Sequence, residues 1–139
     1  MAGLLPAQVY AVVVDFPAYP RLFPEIKQTK VLENHGHNVQ VEFRGNMVLP
    51  FRYVLDLVCD VQAGSVTWTY VEGEMVKNSR GSWHLSPEGD GTRVDYETSL
   101  QIEAPLPGFL LRKITDGLVT LSLPAMFASV EREARRRRG

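Results

Sequence analysis

Residues 15–24 read DFPAYPRLFP, three prolines and three aromatic rings within ten positions, behind a single acid. The stretch is too rigid for a flexible linker and too proline-broken for an ordinary helix. Proline presets the backbone of a first helical turn, so Pro17 and Pro20 can each open one. Pro24 then stops the second, because the residue before a proline avoids the helical region. Upstream, Pro6 followed by Ala7, Val9, Tyr10, Val13 and Val14 predicts a short helix ending near Phe16. Residues 6–24 therefore read as two short helices meeting at an angle.

From Lys27 the apolar period changes to two. One strand covers about 28–34, HGHN (35–38) makes a turn, and Val39, Val41 and Phe43 alternate with Gln40, Glu42 and Arg44. After Pro50, a longer strand sets Phe51, Tyr53, Leu55, Leu57 and Cys59 on one face and Arg52, Asp56 and Asp60 on the other. Val66, Trp68 and Tyr70 follow, then Trp83 and Leu85. Beyond the turn EGDG (88–91), Val94, Tyr96, Leu100 and Ile102 alternate with Asp95, Glu97, Ser99, Gln101 and Glu103. This alternation predicts an antiparallel meander with one covered face.

Pro105, Pro107 and Gly108 end the sheet, and residues 109–138 read as one long helix kinked at Pro124. Its main stripe is Leu110, Leu111, Ile114, Leu118, Leu121, Ala125 and Ala128. Val119, Leu123, Met126, Phe127 and Val130 occupy its other faces. A helix apolar all round is buried all round, so one face should meet the sheet and another the N-terminal helices or a second subunit. With no repeat and no low-complexity linker, residues 1–139 read as a single α+β domain.

Fifteen basic against sixteen acidic side chains leave a formal charge of -1, so no global field points to nucleic acid or an anionic membrane. Cys59 is the only cysteine, which excludes an intrachain disulfide and a cysteine metal cluster. The first residues lack the pattern of a secretory signal, and no apolar run is long enough to span a bilayer, so the expected location is cytoplasmic. His35 and His37 flank Gly36 in the turn without a third ligand nearby, and His84 beside Trp83 has no assignable acid. No metal or cofactor is expected. Arg135–Arg138 read as solvated cations favoured by the helix dipole, with RNA or an acidic partner such as the ribosome as the alternative.

The stretch VYAVVVDFPAYPRLFPEIKQTKVLE (9–33) resembles the opening of the polyketide cyclase/dehydrase and lipid-transport family. Asp15, Tyr19, Pro20 and Pro24 match its D-x-x-x-Y-P-x-x-x-P pattern. GSWHLSPEGDGTRVDYE (81–97) is similar to its G-x-W strand, acidic-glycine turn and following strand. The resemblance implies a START-like helix-grip fold: a curved antiparallel sheet wrapped around a long C-terminal helix, with two short N-terminal helices and a hydrophobic cavity between sheet and helix. Members of this superfamily include coenzyme-Q-binding proteins, a ribosome-association toxin, lipid carriers and polyketide aromatase/cyclases. The family normally begins with a strand before its first helix, and here only Met1–Leu5 precede Pro6. That strand is either truncated or absent, and a bare sheet edge invites pairing with another chain, so a homodimer is a candidate partner.

Given that fold, strand parity places Phe43, Tyr53, Leu55, Trp68, Tyr70, Trp83 and Tyr96 toward the cavity. Phe16, Tyr19 and Phe23 would close one end, and Ile114 and Leu118 would face it from the helix. These are the candidate ligand-binding residues. Glu72 and Glu74 share parity with Trp68 and Tyr70, unless Gly73 marks a bulge that re-aims them. No histidine, aspartate or arginine shares the inner parity, so no catalytic residue is assigned. Tyrosine hydroxyls suit binding and orientation better than proton abstraction at neutral pH. The expectation is a carrier or sensor of a lipid, an isoprenoid quinone or a polyketide-like aromatic. An aromatase/cyclase is the alternative, and a ribosome- or partner-binding module a further one.

Overall fold

A computed structural model describes residues 1–47 and 49–139, the side chains of Met47 and Val119 excepted. The reading of Val119 as part of a second apolar face thus lies outside the described side chains. Helix α1 (Pro6–Val13) begins with Pro6 in its first turn, and the Leu5 N–H donates to Gln8 Oε1 at 2.8 Å. Asp15 (φ -85°, ψ 70°) breaks the helical run. A 3-10 turn over Phe16–Ala18 and the one-turn helix α2 (Tyr19–Leu22) follow, with Pro17 and Pro20 in their first turns. Phe23, ahead of Pro24, is extended (φ -124°, ψ 109°).

Six strands pair antiparallel in chain order: β1 (Ile26–Asn34), β2 (Asn38–Met47), β3 (Leu49–Asp60), β4 (Ser65–Glu74), β5 (Val76–Glu88) and β6 (Gly91–Ile102). On the inner face Val41 lies opposite Leu55, Leu57 opposite Trp68, and Val66 opposite Trp83. All six side chains are buried, each contributing roughly 1.5–3 kcal/mol or more of transfer free energy. Trp68 also faces Gly81, where a Cβ would stand 2.6 Å from the indole ring. The glycine of G-x-W therefore makes room for one tryptophan while the motif supplies another. Past this pair β4 and β5 separate, and the Tyr70 hydroxyl bridges the gap by donating to the Val76 carbonyl at 2.9 Å.

The bulge in β4 sits at Val71, not at Gly73: pairing steps from Leu55–Tyr70 to Val54–Glu72. It reverses the strand's parity and turns Glu72 and Glu74 to the convex face. There Arg52 donates to Glu42 at 2.8 Å and to Glu72 at 2.9 Å. The N-terminal segment supplies no strand ahead of α1. Met1 alone exchanges two backbone hydrogen bonds with Thr92, at 2.8 and 3.0 Å, at the start of β6.

The C-terminal rod of 31 residues is α3 (Gly108–Gly117), a π turn (Leu118–Ser122) and α4 (Leu123–Arg138). Pro124 cannot donate to the helical ladder, and the wider turn just before it absorbs the missing bond. A π turn inserts one extra residue, so the apolar stripe slips. Leu121, expected on the core stripe, is 73 % exposed, and Ala128 is exposed too. Val130 and Ala134 are the buried residues instead, with Met126 and Phe127 half-buried. The helix is therefore not buried all round, and α3 itself has no fully buried residue.

Arg135–Arg138 are not merely solvated. Glu133, only 3 % exposed, accepts from Arg21 at 2.8 and 3.2 Å and from Arg136 at 2.6 and 2.9 Å. Arg137 donates to Asp15 at 2.6 Å. Arg135 and Arg138 donate to the carbonyls of Ala2 and Gly3 at 2.7 and 2.6 Å. The tail is a clamp that ties the end of α4 to α2 and to the N-terminal segment.

The Arg136 and Arg21 hydrogen bonds hold the Glu133 carboxyl well below the usual carboxylate range. Its stabilisation is thus present above the unfolded pKa of about 4.3 and is lost as pH falls through the folded value. Melting temperature against pH should fall for Glu133→Gln at neutral pH and converge with the parent in acid; parallel curves would contradict the clamp. Gly81→Ala should cost about 1–3 kcal/mol by overpacking and shift the Trp68 emission. An unchanged melt and spectrum would contradict that packing.

Candidate functional site

Between the concave face of the sheet and the C-terminal rod lies a cavity of about 410 Å³. Phe16, Tyr19, Phe23, Phe43, Tyr53, Leu55, Trp68, Trp83, Tyr96 and Leu118 line it. Tyr70 and Ile114 do not. They pack with Phe51, Met75 and Val76 in a smaller cluster at one end of the sheet. For Tyr70 the cause is local: the adjacent bulge and its own bond to Val76 draw the ring away.

The proline-rich stretch supplies one aromatic wall. Tyr19 meets Phe16, Phe23 and Phe43 at ring-centre distances of 5.4, 4.8 and 6.0 Å, and Phe43 stacks on Tyr53 at 5.1 Å. The other wall is Trp68, Trp83 and Tyr96. Tyr96 lies 4.8 Å from Trp83 edge-on and 5.8 Å from Trp68. Edge-on and offset contacts of this kind fix ring orientation and add to plain area burial. Phe127 of α4, off the cavity lining, packs edge-on against Trp83 and Tyr96 at 5.6 Å from each.

Hydroxyl partners divide the tyrosines. Tyr19 donates to the Val13 carbonyl at 2.5 Å, which pins the motif to the end of α1. Tyr53 donates to no protein acceptor among the described residues, whereas the Tyr96 hydroxyl has the Thr98 side chain as a hydrogen-bond partner, and both tyrosines line the cavity. Burial raises the pKa of Tyr19, Tyr53 and Tyr96 above the ordinary phenol value, so all three stay neutral near pH 7. Neutral phenols in an apolar wall can donate to a carbonyl or ether oxygen and are poor bases.

Sequence reasoning missed several lining groups. Phe51, Val76, Ser79, Leu100 and Ile102 come from the strands, and Ser122, Met126 and Ser129 from the rod beyond the π turn. It also missed Glu25, the one carboxylate on the lining, which accepts from Ser122 Oγ at 3.3 Å. Its position directly after Pro24 was the available signal. The Glu25 carbonyl in turn accepts from Asn46 N–H at 3.1 Å, an approach that Gly45 alone permits. Cys59 is half-buried and burial pushes its thiol up, away from thiolate chemistry. His35 and His37 sit in the exposed turn and His84 on the convex face. Among the described residues, no group of three His, Cys, Asp or Glu side chains is placed to hold a metal ion. Among the described residues, no helix is long and apolar enough to cross a membrane.

Solved structures share this architecture. The Thermus thermophilus protein TTHA0849 is 21 % identical and superposes with a TM-score of 0.86 over 99 % of this chain and 94 % of its own. The Zhui aromatase/cyclase from Streptomyces is 16 % identical, with a TM-score of 0.84 over 99 % and 91 %. A START superfamily protein from Mycobacterium smegmatis is 16 % identical, with a TM-score of 0.77 over 97 % and 92 %. At such identities the likeness establishes the START-like fold. No curated protein sequence matches this chain. The family model for polyketide cyclase/dehydrase and lipid transport matches residues 4–127, which includes the proline-rich stretch, the sheet and the rod as far as Phe127. The chain belongs to the polyketide cyclase/dehydrase and lipid-transport family.

Proposed function

We propose that this protein binds a hydrophobic small molecule in the cavity between the sheet and the C-terminal rod. A lipid, an isoprenoid quinone and a polyketide-like aromatic are the ligand classes that fit. The observation that carries the reading is the pairing of an aromatic-walled cavity of about 410 Å³ with the hydroxyl of Tyr53, which has no protein acceptor among the described residues, and that of Tyr96, which has only Thr98 beside it. That volume falls within the ~300–1,000 Å³ range of small-molecule sites, and the apolar wall supplies affinity while a few polar groups set orientation. Tyr53 and Tyr96 both line the cavity, so the oxygen atoms of a ligand would be oriented by these two hydroxyls. The candidate binding residues are those lining the cavity, with Phe16, Tyr19 and Phe23 closing one end.

A second reading, a polyketide aromatase/cyclase, is favoured by Glu25. Its carboxylate, tied to Ser122, borders an apolar site where a poly-β-ketone could be folded for ring closure. Orientation supplies much of the rate in such a reaction, and one carboxylate can accept the proton released. The partner-binding reading of the arginine tail loses its support, since each of those arginines is engaged within the chain.

Trp68 and Trp83 line the cavity and report occupancy by their fluorescence. Titration with a short-tailed isoprenoid quinone and with a fatty acid should give saturable quenching. Tyr53→Phe and Tyr96→Phe should each weaken the quinone about 2–10-fold, the worth of one hydrogen bond, while leaving alkyl-chain affinity nearly unchanged. Absence of saturable quenching by either ligand class would remove the binding reading. Glu25→Gln tests the second reading: cyclisation of an acyl-carrier-bound poly-β-ketone should fall with binding unaltered, and unchanged turnover would exclude Glu25 from the chemistry.

A further inference from the structure

Strand β6 pairs with β5 from Gly91 to Ile102, and the one register shift, between Val76 and Asn78, adds its extra residue to β5 and leaves the alternation along β6 intact. Thr92 turns its N–H and C=O away from β5, toward Met1. These groups alternate sides along an antiparallel strand. Val94, Tyr96, Thr98, Leu100 and Ile102 therefore turn theirs to the same outer edge. Glu103, of the opposite parity, donates inward to Met75 at 2.7 Å, as the alternation requires. Among the described residues, nothing pairs with that outer edge beyond Met1. The cavity wall stops there too: Thr98 and Leu100 line the cavity and yet are exposed.

We propose that this edge pairs with β6 of a second copy, antiparallel, about a two-fold axis at Thr98, each strand extending the wall of the other's cavity. The free segment runs from Val94 to Ile102, and Thr98 is its midpoint. Tyr96 then meets Leu100 of the partner subunit and Val94 meets Ile102 of the partner subunit on the cavity face, through about ten backbone hydrogen bonds. On the convex face the same register sets Arg93 against Glu103 of the partner subunit, Asp95 against Gln101 of the partner subunit, and Glu97 against Ser99 of the partner subunit. No like charges oppose one another.

Neighbouring registers lack this property. An axis at Glu97 sets that acid against its own copy, and an axis at Tyr96 sets Asp95 against Glu97 twice. Shifting the other way, to Ser99 or Leu100, sets Asp95 or Glu97 against Glu103. Like charges directly opposite destabilise a strand pair, so the charge pattern selects Thr98. A second copy is the occupant because the segment is self-complementary about its own midpoint, as an isologous contact demands.

Sedimentation velocity of the full chain from low to high micromolar concentration tests the pairing without any ligand, so its failure leaves the binding reading untouched. A reversible dimer is expected. Thr98→Pro removes an outward N–H that β5 does not use, and it should give a folded monomer whose melting no longer depends on protein concentration. Arg93→Glu should weaken the dimer about tenfold by facing two acids across the axis, and adding Glu103→Arg should restore it. A wild-type monomer across the whole range would overturn the proposal. So would a dimer indifferent to both Thr98→Pro and Arg93→Glu.

Discussion

A buried carboxylate holds this molecule shut. Glu133 lies near the end of a long helix, almost without solvent, and a lone charge there would be costly. Arg21 and Arg136 neutralise it with paired hydrogen bonds. Because Arg21 belongs to the proline-rich stretch, satisfying Glu133 forces that stretch against α4. Asp15, at the head of the same stretch, meets Arg137 and fixes its other side. Between those two anchors the prolines leave Phe16, Tyr19 and Phe23 little choice but to project over the sheet.

The remaining space is a consequence of how the rod meets the sheet. Its second half is anchored by Val130, Glu133 and Ala134, whereas α3 has no fully buried residue. The π turn between them changes which faces look inward, so small and polar residues, Ser122, Ala125 and Ser129, line the cavity. Bulky aromatics come instead from the sheet and from the proline-rich stretch. A rod seated tightly along its whole length would fill the concave face. One seated at a single end leaves room above the aromatic floor.

Much of this was legible in the sequence, and the parts that were not have local causes. Strand faces follow from a strict period of two, so Val41, Phe43, Leu55, Leu57, Trp68 and Trp83 are buried as their spacing implies. Tyr70 keeps its place opposite Leu55 but is held by its bond to the Val76 carbonyl, and beyond it one extra residue, Val71, breaks the period and re-aims Glu72 and Glu74 at a place no glycine marks. Leu121 departs for the helical version of the same reason: a π turn ahead of Pro124 adds a residue to the count. The arginine tail was opaque because Asp15, the carbonyls of Ala2 and Gly3, and Arg21, which shares Glu133 with Arg136, are more than a hundred residues away in sequence, a separation that only tertiary structure closes. Glu25 escaped notice because it stands outside any regular period, on the turn that Pro24 creates.

The central claim is that this geometry holds an apolar guest. Native mass spectrometry of the protein, purified gently from its own host, addresses it most directly. The account predicts a discrete added mass of one hydrophobic molecule per chain, released by organic extraction and diminished in a Trp83→Ala variant that keeps its fold. A chain that flies at its bare mass, and gains none after incubation with its host's lipid extract, would contradict it.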